Sequence, residues 1–493
     1  MISTRQAPPR ADAMLEALRG LGYSTGAAIA DVVDNSIAAG AKTVDIHFAW
    51  DNALSRVSIL DDGRGMNDAE LERAMTLGDR SPLDTRAADD LGRFGMGLKT
   101  ASFSQCRRLT VTSLKGGTAS CLRWDLDELA NDPSGGWLLF EGPATGSEMF
   151  AAIPPGRSSG TLVLWESMDR IITKAFSPEH FMDLADSVER HLAMVFHRLI
   201  EGLRPKLRIS INGQPVAPWD PFMSGTSWES PLAKRDTDVG MVTVQCHVLP
   251  HKDRLTEAEF ELNGGPAGWA AQQGFYVYRN ERLLVAGGWL GLGQGRAWNR
   301  EEAYRLARIR LDIPNTADAA WKIDIRKSAA RPPVSLRPWL TRLAENTRER
   351  ARNVFAYRAK PRASTGSPAI EAAWHAEQTK AGLRYRIDEK HPAVAAVLEA
   401  CTDQVDLVRA MLRVVEETVP VQRIWLDTAE NKETPRTGFA GEPNAEVQKV
   451  LKILFKDMVM RRGMDSELAR SKLLATEPFQ DYPALVGALK IDS

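Results

Sequence analysis

Residues 27–42, AAIADVVDNSIAAGAK, decide the fold. Apolar Ala27, Ile29, Ala30, Val32, Val33 and Ile37 recur at helical spacing, Ser24 and Thr25 are N-cap candidates, and Gly40 is a stop. Asp31, Asp34, Asn35 and Ala38 then fall along one side, because positions three and four apart are neighbours on a helix. A carboxylate one turn from a carboxamide, in so apolar a helix, is costly to bury without a partner. A hydrated divalent cation with a nucleophilic water would supply one. A polar pair bridging inside a structural helix would use the same residues.

Three further stretches follow in order. Ile59–Met66, ILDDGRGM, is an apolar strand running into a glycine turn; Leu91–Lys99, LGRFGMGLK, is a glycine loop opening a helix; Ser159–Leu164, SGTLVL, is a strand entered through Gly-Thr. Each is common alone. Their order and spacing together carry the signal.

These motifs resemble those of the GHKL ATPases, the superfamily of gyrase, heat-shock-90 chaperones, histidine kinases and MutL. The helix resembles the family's E-x-x-x-N box, the turn its D-x-G-x-G box and the loop its G-x-x-G-x-G lid. Within that group the chain looks most like MORC-type and MutL-type ATPases and their bacterial relatives, through Gly92–Ser102, GRFGMGLKTAS, and Gly274–Leu284, GFYVYRNERLL. The resemblance covers roughly the first 335 residues. It implies an α/β sandwich, a mostly antiparallel sheet with helices on one face, followed by an S5-like transducer domain. It also implies ATP and Mg²⁺ as ligands.

Site residues carry over by position. Asn35 would hold Mg²⁺. Asp31 stands where the family usually has its Glu general base. Being one methylene shorter, it would sit about 1 Å from the usual place, an error that can lower the rate about 100-fold. Asp61 would accept from the adenine amino group, an edge where guanine presents a carbonyl. Gly63, Gly65 and Met66 would line the base, and Thr161 would make a second adenine contact. Gly92, Arg93, Phe94, Gly95, Met96, Gly97 and Leu98 would wrap the phosphates with backbone N–H groups, and Lys99 would reach the γ-phosphate. A transducer lysine reaches the same phosphate in these families; Lys327 is the candidate, with Lys322 and Arg326 close by. A surface lysine on an ordinary helix is the plainer reading of Lys99, and a basic surface strand that of the other three.

Composition is ordinary for a globular protein: 493 residues, 43% hydrophobic, 26% charged, net charge −1. No apolar run reaches bilayer-spanning length, and the first twelve residues hold no apolar signal core. Cys106, Cys121, Cys246 and Cys401 are scattered without metal-type spacing, which fits a reducing cytoplasm. Charge is uneven. Between Arg326 and Arg362 eleven Lys or Arg face only Glu345 and Glu349.

The expected organisation is an ATP-binding domain at 1–203, a transducer at 204–335, a basic helix and linker at 336–363, and a mainly helical region at 364–493. Strands are expected at 43–50, 56–60, 108–114, 119–125, from 161, and at 206–211, the last closing on an Asn212-Gly213 hairpin turn. Further strands are expected near 241–249, 257–262, 274–279, 282–286 and 306–312. Helices are expected at 11–21, 178–203, 335–358, 392–418 and 444–462, and residues 67–90 read as a helix running into a polar lid.

The family resemblance implies an ATP-driven homodimeric clamp on DNA, placed by its bacterial relatives in restriction-like or phage-defence systems with nuclease or helicase partners. A chaperone-like ATPase with a protein client is the first alternative. The second is a binding switch or scaffold in which Asp31 leaves ATP unhydrolysed. Histidine kinase activity is disfavoured, since the first histidine, His47, follows the box helix. Topoisomerase activity is disfavoured because no catalytic-tyrosine domain or toprim-like acidic cluster is evident.

Overall fold

A computed structural model describes residues 9–79, 97–238, 240–317, 320–324, 327, 329–357, 371–379, 382–421, 424, 445–476, 479 and 482–490. The chain divides into two compact units, Met1–Ala363 and Ser364–Ser493.

The first unit opens with α1 (Ala11–Arg19) and α2 (Thr25–Ala38). Ser24 caps α2, its side chain accepting from the Ala27 amide at 3.2 Å, and Gly40 ends it at φ +78°. Strands β1 (Thr43–Ala49) and β2 (Arg56–Asp61) form the expected hairpin. Next come α3 (Asp68–Met75), with an Asn67–Glu70 capping box, and α4 (Gly97–Phe103). They lead to β3 (Arg108–Lys115), β4 (Thr118–Asp125), α5 (Leu126–Asn131), β5 (Phe140–Glu141) and β6 (Ser159–Glu166). The long helix expected at 178–203 is two pieces, α6 (Pro178–Val195) and α7 (His197–Ile200).

Strands β7 (Arg208–Ile211) and β8 (Gln214–Pro215) correct the sequence reading. They form the expected Asn-Gly hairpin, but β7 pairs parallel with β1. Among the described residues the first sheet therefore runs β5-β4-β3-β6-β2-β1-β7-β8, antiparallel except at β1–β7. Val44, Ile46 and Phe48 of β1 are buried while Asp45 and His47 are exposed, the alternation of a sheet covered on one face. Against the covered face pack Ala28, Ile29, Val32 and Val33 of α2, Phe103 of α4 and Val188 and Leu192 of α6, in one core with Val57, Ile59, Val111 and Trp165.

The second sheet contains β9 (Trp228–Glu229), β10 (Ala233–Thr237), β11 (Gly240–Val248), β12 (Gly274–Arg279), β13 (Arg282–Ala286) and β14 (Ala307–Asp312), in the order β10-β11-β14-β12-β13 with β9 on β11. The strand expected at 257–262 is a helix instead, α8 (Glu257–Asn263). The Thr256–Glu259 capping box starts it, a local signal stronger than its alternating pattern. Helix α9 (Arg337–Tyr357) closes the unit, with Leu340, Ala344, Ala351 and Val354 in the second core beside Val244, Ile309 and Trp321. Tyr276, Tyr278 and Leu283 face the other way and join the first core.

In the second unit a hairpin, β15 (Trp374–Thr379) and β16 (Gly382–Ile387), precedes the helices. The helix expected at 392–418 is broken by a turn at 402–404 into α10 (Pro392–Ala400) and α11 (Val405–Thr418). Helices α12 (Ala445–Lys456), α13 (Ser466–Leu474) and α14 (Pro483–Gly487) enclose a small core around Leu454, Phe455, Leu473 and Val486.

Gly65 sets a close backbone approach at the turn after β2. Its φ is +65°, and an added Cβ would lie 1.9 Å from the Leu114 carbonyl oxygen. Gly65→Ala is expected to destabilise the first unit by about 3 kcal/mol or more, through strain and backbone displacement together. Urea denaturation followed by tryptophan fluorescence would measure it; a midpoint equal to wild type would contradict this account.

Candidate functional site

Helix α2 carries polar groups through an apolar layer. Asp31 and Asp34 are buried, Asn35 one turn beyond Asp31 is exposed, and Ser36 is buried. The Tyr23 hydroxyl donates to Asp31 Oδ2 at 3.1 Å. Burial, and then the Asp31 charge, pushes the Tyr23 phenol above its ordinary value.

The Asp61 end has a different electrostatic character. Asp61 ends β2, buried, with Oδ2 accepting from Ser36 Oγ at 2.9 Å and Oδ1 from the Gly63 amide at 2.8 Å. Burial pushes its carboxyl up, only partly opposed by those donors. Thr161 lies directly across from Asp61 on β6, with its hydroxyl 3.0 Å from Ser113 Oγ. The Met66 amide donates to the same Ser113 oxygen at 2.8 Å. Gly160, at φ +146°, lets β6 close on β2: a Cβ there would lie 2.4 Å from the Asp61 carbonyl oxygen. The turn and β6, separate in sequence, thus meet around one carboxyl group.

Of the glycine loop, Gly92, Arg93, Phe94, Gly95 and Met96 lie outside the described residues, as does Arg326. Gly97 starts α4 beside Asp31; a Cβ on it would lie 3.7 Å from Asp31 Oδ2. Leu98 packs half-buried against the first core. Lys99 is buried, not at the surface. Its ammonium donates at 2.8 Å to the carbonyls of both Ala74 and Thr76, at the end of α3. Desolvation lowers it to about 8.

Lys327 comes into this site from 296 positions along the chain. Its ammonium lies 2.8 Å from Asp31 Oδ1 and 2.5 Å from Asp34 Oδ2. Lys322, the neighbouring candidate, is exposed. Arg282, at the start of β13, was not singled out from the sequence. Its Nε lies 3.2 and 3.1 Å from the two Asp34 oxygens, and its Nη2 lies 3.1 Å from Asp34 Oδ2. Burial alone would raise the Asp34 carboxyl; Arg282 and Lys327 outweigh that and hold it below the carboxylate range. The available signal was a charged residue leading the apolar run RLLVA, directly after the Asn280-Glu281 turn.

The basic stretch on α9 is less free than its charge count suggests. Arg348 is buried, its guanidinium 4.7, 4.4 and 3.8 Å from the rings of Trp289, Trp298 and Tyr304. Arg350 lies over Trp228. Arg331, Arg337, Arg342 and Arg352 are exposed, as are Glu345 and Glu349.

Residues 23–147 match the family of histidine kinase-, DNA gyrase B-, and HSP90-like ATPases. The chain is 34% identical over 95 residues to ATPase morc-1 of Caenorhabditis elegans, covering 19% of this chain and 11% of that protein. It is 29% identical over 189 residues to the DNA mismatch repair protein MutL of Rhodospirillum rubrum, covering 37% of this chain and 28% of that protein. The chain thus spans well under half the length of either relative. Among the described residues no helix is long and apolar enough to cross a membrane.

The raised Asp61 carboxyl separates stability from binding. Its folded-state value lies above the unfolded one, so its contribution to stability falls as pH rises from about 4 through the folded value, and stays lost at neutral pH. Asp61→Asn is therefore expected to melt no lower than wild type at pH 7, with any gain shrinking toward pH 5. Its affinity for an ATP analogue should fall at least about 10-fold, the scale of one lost buried hydrogen bond to a charged group. Thermal melts and equilibrium binding on the same samples would check both; a large loss of melting temperature with binding intact would contradict it.

Proposed function

From the GHKL-type ATP-binding ATPase domain that this chain carries, we propose that the protein is an ATP-driven dimeric clamp that acts on DNA. One observation carries the reading. Lys327 of the second sheet's module rests on Asp31 and Asp34 of the first, so a phosphate entering beside Asp31 competes directly for a cation supplied by the other module.

The nucleotide would lie along α2, with its base at Asp61 and Thr161 and its phosphates toward Gly97. Met66 and the turn glycines Gly63 and Gly65 would lie beside the base, and Gly92–Leu98 would wrap the phosphates. Asn35 fits Mg²⁺, which favours a few protein oxygens and keeps the rest of its shell for water and phosphate; the ion would neutralise phosphate charge there. Asp31 would orient and deprotonate the attacking water. As it stands Asp31 has Tyr23 on one oxygen and Lys327 on the other, so it takes up that role only once Lys327 moves away. Lys327 transferred to the γ-phosphate would free the base and bring the second module with it. Lys99 is assigned a more indirect part, fixing the start of α4 beside the phosphates.

The same engagement of Asp31 favours a second reading, a nucleotide-binding switch with little hydrolysis. DNA as the object rests on the relatives, a MORC ATPase and a DNA mismatch repair protein. It also rests on exposed Arg331, Arg337, Arg342 and Arg352, whose charges suit phosphate contacts. The roles in phage defence, nuclease or helicase partnership and cytoplasmic location belong to the same proposal.

Steady-state ATP hydrolysis with and without duplex DNA, wild type beside Asp31→Asn, tests this. Wild-type turnover is expected to rise with DNA and lose that stimulation at high salt, and Asp31→Asn to fall at least about 100-fold. Size exclusion should show a dimer only with a non-hydrolysable ATP analogue. Analogue-dependent dimers without turnover in either protein would select the switch. Turnover raised by unfolded protein and not by DNA would select a chaperone-like activity.

A further inference from the structure

Asp34 has no part in the nucleotide site just described. It nevertheless costs the fold a second buried carboxylate one turn from Asp31. What it gathers is two cations from the second module. Arg282 gives it a fork: Nε reaches both oxygens at 3.2 and 3.1 Å and Nη2 reaches Oδ2 at 3.1 Å, while Nη1 donates to the Leu283 carbonyl at 2.6 Å. The same Nη2 stands 3.8 Å from Asp31 Oδ1, so Arg282 belongs to Asp34. Lys327 bridges both carboxylates.

The backbones that carry the two cations differ. Arg282 heads a strand in a buried hairpin. The tight turn before it has Asn280 and Glu281 at φ +48° and +66°, and the Arg282 side chain is 5% exposed. Lys327 sits at φ +54° in a short turn, its amide bonded to the Asp324 carbonyl at 3.0 Å. A planar, bidentate guanidinium holds one geometry, whereas an ammonium on a four-carbon stem can redirect its bonds.

We propose that Arg282 is a positioning residue. With Asp34 it forms the fixed pivot between the second module and α2, and so leaves Lys327 able to pass from Asp31 to the nucleotide. The pivot fixes where the second module stands on α2, so that the stem of Lys327 can swing while its backbone stays in place. Without that pivot, Lys327 is among the described residues the one charged link left between the second module and α2, and its ammonium stays there. This inference rests on the assignment of Asp31 and Lys327 made above.

The test compares Arg282→Met with the double variant Asp34→Leu, Arg282→Met, which replaces the buried pair by apolar side chains and can recover stability. Melting temperature, kcat and KM for ATP are read for each, with wild type and Lys327→Met alongside. Arg282→Met is expected to melt lower and to lose at least about 10-fold in kcat, with KM within about threefold of wild type. In the double variant the melting temperature should return while kcat stays at least about 10-fold down, because stability is restored and the pivot is not. A double variant with wild-type kcat would reduce Arg282 to a structural residue and overturn the proposal. A wild type that neither binds nor hydrolyses ATP, or a fully active Lys327→Met, would instead bring down the underlying assignment, and this inference with it.

Discussion

Four charged groups inside the first unit determine how its two sheets meet. Asp31 and Asp34 come from one helix, Arg282 from a hairpin and Lys327 from a turn, and all are largely withdrawn from water. Desolvating such groups costs several kcal/mol each, which Coulomb attraction recovers only with good geometry. The cluster is therefore a poor source of net stability and a sharp source of position. The apolar part of the contact supplies the drive, through Tyr276, Tyr278 and Leu283 packed into the first core. The charges then reject every docking that leaves one of them alone.

The same helix serves a second environment one turn further on. Ser36 faces Asp61, whose carboxyl accepts from the neutral Ser36 hydroxyl and Gly63 amide, and burial raises that carboxyl. At the Asp34 end two cations hold a carboxyl down. A ligand laid along α2 would meet a negative end compensated by one fixed and one movable cation, and another end offering a hydrogen-bonding carboxyl with, among the described residues, no cation in contact with it. A nucleotide has matching ends: a polyphosphate that can draw the movable cation toward itself, and a base with an amino group.

Sequence reading recovered what local chemistry specifies. The cap, period and stop of α2 are written within a few residues of it, and the β1–β2 hairpin and the Gly65 turn follow from their own residues. It failed where the answer lies in a distant partner. Asn212-Gly213 announces a hairpin but not that β7 will pair with β1 rather than open a new sheet. One local signal was also passed over: at 257–262 the apolar alternation suggested a strand, while the Thr256–Glu259 capping box held the overriding signal. Arg282 and Asp34 lie 248 positions apart, and no spacing rule joins them. Lys327 was named by family resemblance and not by its local pattern, which Lys322 and Arg326 share; its contact with Asp31 is what the structure adds.

Lys99, placed at a phosphate by its motif, is engaged elsewhere in this structure. A lysine after glycines at a helix start suggests a phosphate contact. Here the ammonium spans from α4 to the last turn of α3, satisfying two carbonyls that no helical amide reaches. Lys99 thereby ties the start of α4 to the end of α3. With its ammonium spent on these carbonyls, Lys99 is not at Asp31. Among the described residues the ammonium in contact with that carboxylate is Lys327. On the proposed reading, a helix start held by Lys99 and a cation delivered by another module would divide one job in two. The first would fix where phosphate sits, and the second would let the rest of the unit respond to its being there.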